Sequence, residues 1–184
     1  ESLKYMRLEP GISKARFAEI THQIIDTNLH LIGEDDDYWV SQRVTRGVNV
    51  DGEYQSTVIV ECVPLPFAAR ANYYKEGMPV VVPSVRRTPP ESHSPRAKVH
   101  NYVNLIQGEL EVKAQNPDGW PILLDMNGNL AEGPGSNIFI VKDGALKTPK
   151  EQYILSGISR RVAIELAQEL GIIVEETDLD LFDA

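Results

Sequence analysis

Glu-Gly-Pro-Gly-Ser-Asn-Ile-Phe, residues Glu132 to Phe139, sets an acidic side chain on a glycine-rich turn that feeds straight into a β-rich segment. The glycines suit a tight turn whether or not the carboxylate has any further use, because they adopt backbone conformations that a side chain would block. Taken alone, the stretch therefore supports two readings, a plain turn or a turn that presents an acid. Its neighbours along the chain decide between them.

Upstream lies Arg96-Ala97-Lys98-Val99-His100-Asn101-Tyr102, which places a lysine at the expected start of a helix, just after a proline-rich run. A cation there opposes the helix dipole, a cost that invites a reason. Downstream lies Leu155-Ser156-Gly157-Ile158-Ser159-Arg160-Arg161, a loop that delivers backbone amides and a hydroxyl to a helix N-terminus. Such a start is a ready anion site, since its first amides lack intrahelical partners. The plainer alternative is that Ser159 caps its own helix.

The rest of the chain organises around these three segments. Ser13 is expected to cap a helix carrying Phe17, Ile20, Ile24 and Ile25 at helical spacing, ended by Gly33 and the acidic run Asp35-Asp36-Asp37. Strands are expected over residues 38–47 and 57–63, with a turn at Asn49-Val50-Asp51-Gly52 between them and Pro64 and Pro66 bounding the second. A third strand is expected over residues 80–85. Residues 88–96 form a linker candidate rich in proline. Beyond it, apolar Val99, Val103, Leu105, Ile106, Leu110 and Val112 predict a helix over residues 99–114. Strands follow at 120–124 and 137–141, with hairpin turns at Asn127-Gly128-Asn129 and Asp143-Gly144. A helix over residues 159–170 presents Val162, Leu166 and Leu170 on one face and stops at Gly171, before a last strand at 172–175. The domain reading is a smaller α+β unit over residues 1–90, a linker at 91–97, and a larger unit over 98–184.

Composition narrows the function classes. The 184 residues are 42% hydrophobic and 24% charged, values that suit a globular protein with a real core. The net charge of −9 argues against a nucleic-acid partner, although Arg86, Arg87, Arg96 and Lys98 make a local basic cluster. A single cysteine, Cys62, excludes a disulfide framework and favours a reducing, cytoplasmic setting. The four histidines, His22, His30, His93 and His100, show no metal-ligand spacing, so no metal site is expected. Nothing is long and apolar enough to span a bilayer, so no membrane partner is expected either. Both ends read as cut, and the chain is expected to be a portion of something longer.

The order and spacing of the three central segments resemble the class IV, or fold type IV, aminotransferases. That family includes branched-chain and D-amino-acid aminotransferases, (R)-selective amine transaminases and aminodeoxychorismate lyases. The resemblance implies a two-domain α+β or α/β fold of mixed sheet and helices, and pyridoxal 5'-phosphate (PLP) as cofactor. It implies that Lys98 forms the internal aldimine with PLP and then shuttles protons as the base. Glu132 would face the pyridine nitrogen. Gly157, Ile158 and Ser159 would hold the phosphate, Tyr102 would reach the phenolic oxygen, and Asn137 would belong to the cofactor site. The partners implied are an amino donor, a 2-oxo acid acceptor and a second copy of the chain.

Within the family the branch stays open. Tyr102 follows Lys98 by four residues, where the branched-chain pattern has five. Val48-Asn49-Val50-Asp51-Gly52 stands where the D-amino-acid enzymes carry an Arg-x-His carboxylate trap. Arg86-Arg87-Thr88-Pro89-Pro90 resembles a run of the (R)-amine enzymes, yet His100-Asn101-Tyr102 replaces their tryptophan-containing segment. A lyase that eliminates pyruvate, or a non-catalytic member of the fold, are the alternative functions.

Overall fold

The computed structural model describes residues 1–34, 36–65 and 67–184; Asp35 of the acidic run and Pro66 lie outside the described residues. The chain folds as two compact units, Leu3–Gly77 with Glu1, and Met78–Ala184 with Ser2. The boundary thus falls at Gly77–Met78 rather than at the proline-rich run. The reason is that residues 87–97 are built into the second unit: Arg87 donates its backbone N–H to Leu124 O (2.8 Å), and Pro95 and Ala97 are buried.

In the first unit, α1 (Ser2–Met6) precedes α2 (Lys14–Asn28), whose N-cap is Ser13, its hydroxyl accepting from Arg16 N at 3.2 Å. A single 3-10 turn at Leu29–Leu31 ends the helix before Gly33. The long hairpin of β1 (Tyr38–Val50) and β2 (Glu53–Pro64) packs on α2. Gln42 Nε2 donates to Thr21 Oγ1 and the Tyr38 hydroxyl donates to Asn28 O across that contact. Both strands run longer than the hydrophobic runs suggest, because Asp51 (φ 51°) and Gly52 (φ 91°) make a two-residue turn that keeps the ladder paired to its tip. Two short helices, α3 (Phe67–Arg70) and α4 (Tyr73–Glu76), close the unit.

The second unit opens with β3 (Val80–Val81), parallel to β4 (Trp120–Pro121). The expected strand over 80–85 stops early because Pro83 has no N–H to offer a ladder. Between them stands α5 (Val103–Gln115), which begins four residues later than the apolar spacing predicts. Ser92 and His93 amides turn back to Pro89 O and Ala97 N turns back to Ser94 O, so successive turns occupy the approach and leave Lys98 on irregular backbone. The helix buries Leu105, Gly108 and Val112, while Val103, Ile106 and Leu110 face outward.

After β4 the chain forms a hairpin whose tip is held by Asp125, its carboxylate accepting from Asn127 N and Asn129 N. Next come β5 (Glu132–Gly133) and β6 (Ser136–Asn137), a two-residue antiparallel ladder. Strands β7 (Ile140–Lys142), β8 (Ala145–Pro149) and β9 (Ile173–Thr177) make a sheet in that order, and α6 (Ile158–Glu169) is the crossover between the parallel β8 and β9. The core gathers Ile122, Leu124, Leu130 and Leu179, with Ile138 and Ile140 packed against it. The apolar face expected of α6 points outward, with Leu166 53% and Leu170 76% exposed. The helix instead turns Arg160 and Ala167 inward, because Arg160 binds Pro149 O and Glu176. Among the described residues no helix is long and apolar enough to cross a membrane.

Gly47 carries the irregularity of the first hairpin. The register shifts between Thr45 and Val48, Gly47 has φ 73°, and a Cβ there would sit 1.6 Å from Gln55 O. Gly47→Ala is expected to lower the unfolding free energy by about 2 kcal/mol or more, from left-handed strain plus the displaced carbonyl, as read by urea unfolding.

Candidate active site

The second unit brings its chemistry together around Glu132. The β5–β6 ladder pairs Glu132 with Asn137 and Gly133 with Ser136. Gly133 is required there for space: a Cβ would meet Ser136 Oγ at 2.5 Å and Pro121 O at 2.9 Å. Because Leu123 N bonds Glu132 O at 3.0 Å, the backbone is fixed and the side chain is buried, 5% exposed. Both carboxylate oxygens are engaged. Oε1 accepts from Arg87 Nε at 2.8 Å, and Oε2 accepts from Leu155 N at 2.9 Å. Burial pushes the Glu132 carboxyl above its ordinary pKa, and the Leu155 amide, the Arg87 guanidinium and the Lys98 charge pull against that rise.

The backbone of Leu155 links this acid to the helix start downstream. Its N–H goes to Glu132, and its carbonyl accepts from Asn137 Nδ2 at 3.0 Å. Two residues later Gly157 is the N-cap of α6, with extended backbone and no side-chain cap hydrogen bond. Ser159 therefore does not cap the helix; it and Ile158 lie exposed in the first turn. The first intrahelical bond is Arg161 N to Gly157 O (3.0 Å), so the amides before it have no helical acceptor. Asn137 also sets the shape of this start: a Cβ on Gly157 would fall 2.3 Å from Asn137 Oδ1. Buried Arg160 fastens the same turn to the sheet, through Pro149 O at 2.9 Å and Glu176 Oε2 at 2.6 Å.

Of the residues expected from sequence, Glu132, Asn137 and Gly157 thus form one connected network. Lys98 is exposed on the irregular segment before α5, and its charge acts on Glu132. Tyr102 is half-buried at the N-cap of α5, with its ring edge-on to His100 at 6.2 Å between centroids. Among the described residues no hydrogen bond joins Lys98, Tyr102 or Ser159 side chains to Glu132. Sequence reasoning missed two parts, the Arg87 guanidinium and the Leu155 peptide. Arg87 was visible only as one member of a basic cluster, and a backbone amide leaves no signature in sequence at all. The arrangement offers a buried anion, an exposed amine and an open helix start, a set able to grip a ligand with a ring donor at one end and an anion at the other.

The Asn137–Gly157 contact can be tested by a double-mutant cycle. Gly157→Ala is expected to cost about 1–3 kcal/mol. Added to Asn137→Ala, which vacates the space, it is expected to cost clearly less than in the wild type, a coupling read from urea unfolding.

The family model described as amino-transferase class IV matches residues 1–184. The chain is 38% identical over 151 residues to a putative branched-chain-amino-acid aminotransferase of Methanocaldococcus jannaschii, covering 80% of this chain and 51% of that protein. The crystal structure of the Escherichia coli branched-chain amino acid aminotransferase superposes with a TM-score of 0.86 at 30% identity, covering 98% of this chain and 60% of that one. The branched-chain amino acid aminotransferase of Thermobaculum terrenum in its PLP-form gives 0.80 at 25% identity, over 98% and 59%. The chain spans about half the length of the curated relatives it matches. The fold is accordingly that of the fold type IV enzymes, and the chain belongs to the class IV aminotransferase family.

Proposed function

We propose that this protein is a PLP-dependent transaminase that moves an amino group between an amino acid or amine and a 2-oxo acid, with Lys98 as its cofactor anchor. The observation that carries this reading is the buried Glu132 carboxylate, tied through the backbone of Leu155 to a helix start that has no side-chain cap. The residues fit the cofactor on two counts. Glu132 uses two of the roughly four acceptor sites a carboxylate has, which leaves room for a ring N–H. Gly157, Ile158 and Ser159 present free first-turn amides and an exposed hydroxyl, the donors a phosphate needs.

When bound, PLP supplies an electron-withdrawing ring that accepts the electron pair released at the substrate Cα. The chain's own residues then have distinct tasks. Glu132 holds the proton on the ring nitrogen. Lys98 Nζ anchors the cofactor and then moves a proton at the substrate Cα. Tyr102 would donate toward the phenolic oxygen of the ring. Asn137 acts one step removed, by orienting the Leu155 carbonyl and with it the loop that receives the phosphate. The names of the curated relatives make branched-chain amino acids the first donors to test. We further propose a cytoplasmic homodimer, in line with the single, unpaired cysteine and the family membership.

The full-length protein treated with PLP and borohydride should carry a pyridoxyl group on Lys98, read by peptide mass spectrometry, and Lys98→Ala should lose it. Absence of the group on the wild-type protein would sink the reading and leave a non-catalytic member of the fold. A donor panel of L-branched-chain amino acids, D-alanine and (R)-1-phenylethylamine then reads the half-reaction. Conversion of bound PLP to its pyridoxamine form by one donor class identifies the branch; pyruvate release from aminodeoxychorismate without that conversion identifies a lyase.

A further inference from the structure

We propose that Arg87 is a positioning residue of this site: its guanidinium holds Glu132 as an oriented carboxylate whose remaining acceptor capacity faces the ring nitrogen of the cofactor. The inference rests on the reading of Glu132 given above. Three observations carry it. Arg87 is 7% exposed, and its Nε lies 2.8 Å from Glu132 Oε1. The peptides on either side of it are both clamped by one side chain, Asn104, which donates to Arg86 O (2.7 Å) and accepts from Thr88 N (3.0 Å). The Arg87 amide itself bonds Leu124 O, a residue of the core cluster. Glu111 adds a fourth tie, accepting from Ser84 N and Ser84 Oγ. A segment without regular secondary structure is thus fixed on both sides of a single arginine.

The chemistry explains why a fixed cation belongs there. A carboxyl buried without a countercharge takes up a proton instead of ionising, and a neutral acid is a poor partner for a protonated ring. The charged groups facing Glu132 are Arg87 and Lys98, and the Leu155 amide adds a neutral donor. Lys98 is exposed and is the group that the proposed chemistry occupies, so Arg87 is the constant countercharge. An Oε1 held by Arg87 and an Oε2 held by Leu155 also fix the plane of the carboxylate.

The test compares full-length wild type with Arg87→Met, Arg87→Lys and Arg87→Met/Glu132→Gln. Without cofactor, Tm is measured at about pH 5 and about pH 8. Removing the cation raises the folded-state pKa of Glu132; such a group stabilises at low pH and loses that contribution as pH rises through the folded value. The Tm deficit of Arg87→Met should therefore widen by about 5 °C between the two pH values. It should stay flat in Arg87→Lys, and the pH dependence should vanish in the double variant. The Kd for PLP at about pH 8 should rise about tenfold or more in Arg87→Met and stay within about threefold in Arg87→Lys. A deficit equal at both pH values and shared by the Met and Lys variants, with PLP affinity unchanged, overturns the proposal. Should Arg87→Met fail to fold, recovery of a folded protein on adding Glu132→Gln supports the pairing, and no recovery overturns it. Failure of wild type to attach PLP to Lys98 overturns the functional reading alone, since the thermal series contains no cofactor.

Discussion

A carboxylate taken out of water must bring its partners with it, and much of the second unit can be read as the consequence of burying Glu132. Leaving one half of a buried ion pair unmatched costs about 3–5 kcal/mol, a large share of what a small domain has to spend. The chain meets that demand with residues far apart in sequence, Arg87 on one side and the Leu155 amide on the other. Each of those partners must itself be held. Arg87 is held by α5 through Asn104, and Leu155 by Asn137 directly across the β5–β6 ladder from the acid. The same ties that satisfy the charge therefore fix the approach to Lys98 and the start of α6.

Electrostatically the site runs against the whole molecule. The chain carries a net charge of −9, yet Arg87, Lys98 and the positive end of α6 converge near one buried anion. A net negative charge of this size discourages unselective binding of nucleic acid even where a few cations gather locally.

What was legible in the sequence is what local chemistry decides. Ser13 caps α2, Asp51-Gly52 and Asp143-Gly144 turn their hairpins with positive φ, and Gly171 at φ 72° ends α6. The hairpin at residues 125–129 closes because one aspartate satisfies two amides within reach. The turn after Glu132 and the helix start after Gly157 were also readable as local structure, since glycine at a close approach has few alternatives. What stayed hidden depends on partners distant along the chain. The start of α5 lies at Val103 rather than at residue 99, because the turns from Pro89 to Ala97 lead into irregular backbone that continues through residue 102. The buried face of α6 was misjudged because an inward arginine, matched by Glu176 and Pro149, outweighs a stripe of leucines. The division at Gly77–Met78 escaped for a similar reason: prolines suggest a linker, but hydrogen bonds and burial decide which body a segment joins.

Asn137 and Leu155 are joined by a single hydrogen bond across 18 residues of chain, and β7, β8 and the turn between them lie inside that span. The clasp closes the segment at its base. Its tip, Asp143-Gly144, is exposed and contributes nothing to the network around Glu132. Lengthening or reshaping the chain at that tip would leave the clasp and the helix start where they are. The architecture so separates a part that must be conserved in geometry from a part that is free to vary in length, and it marks the β7–β8 turn as the place where a loop could be grafted onto this site.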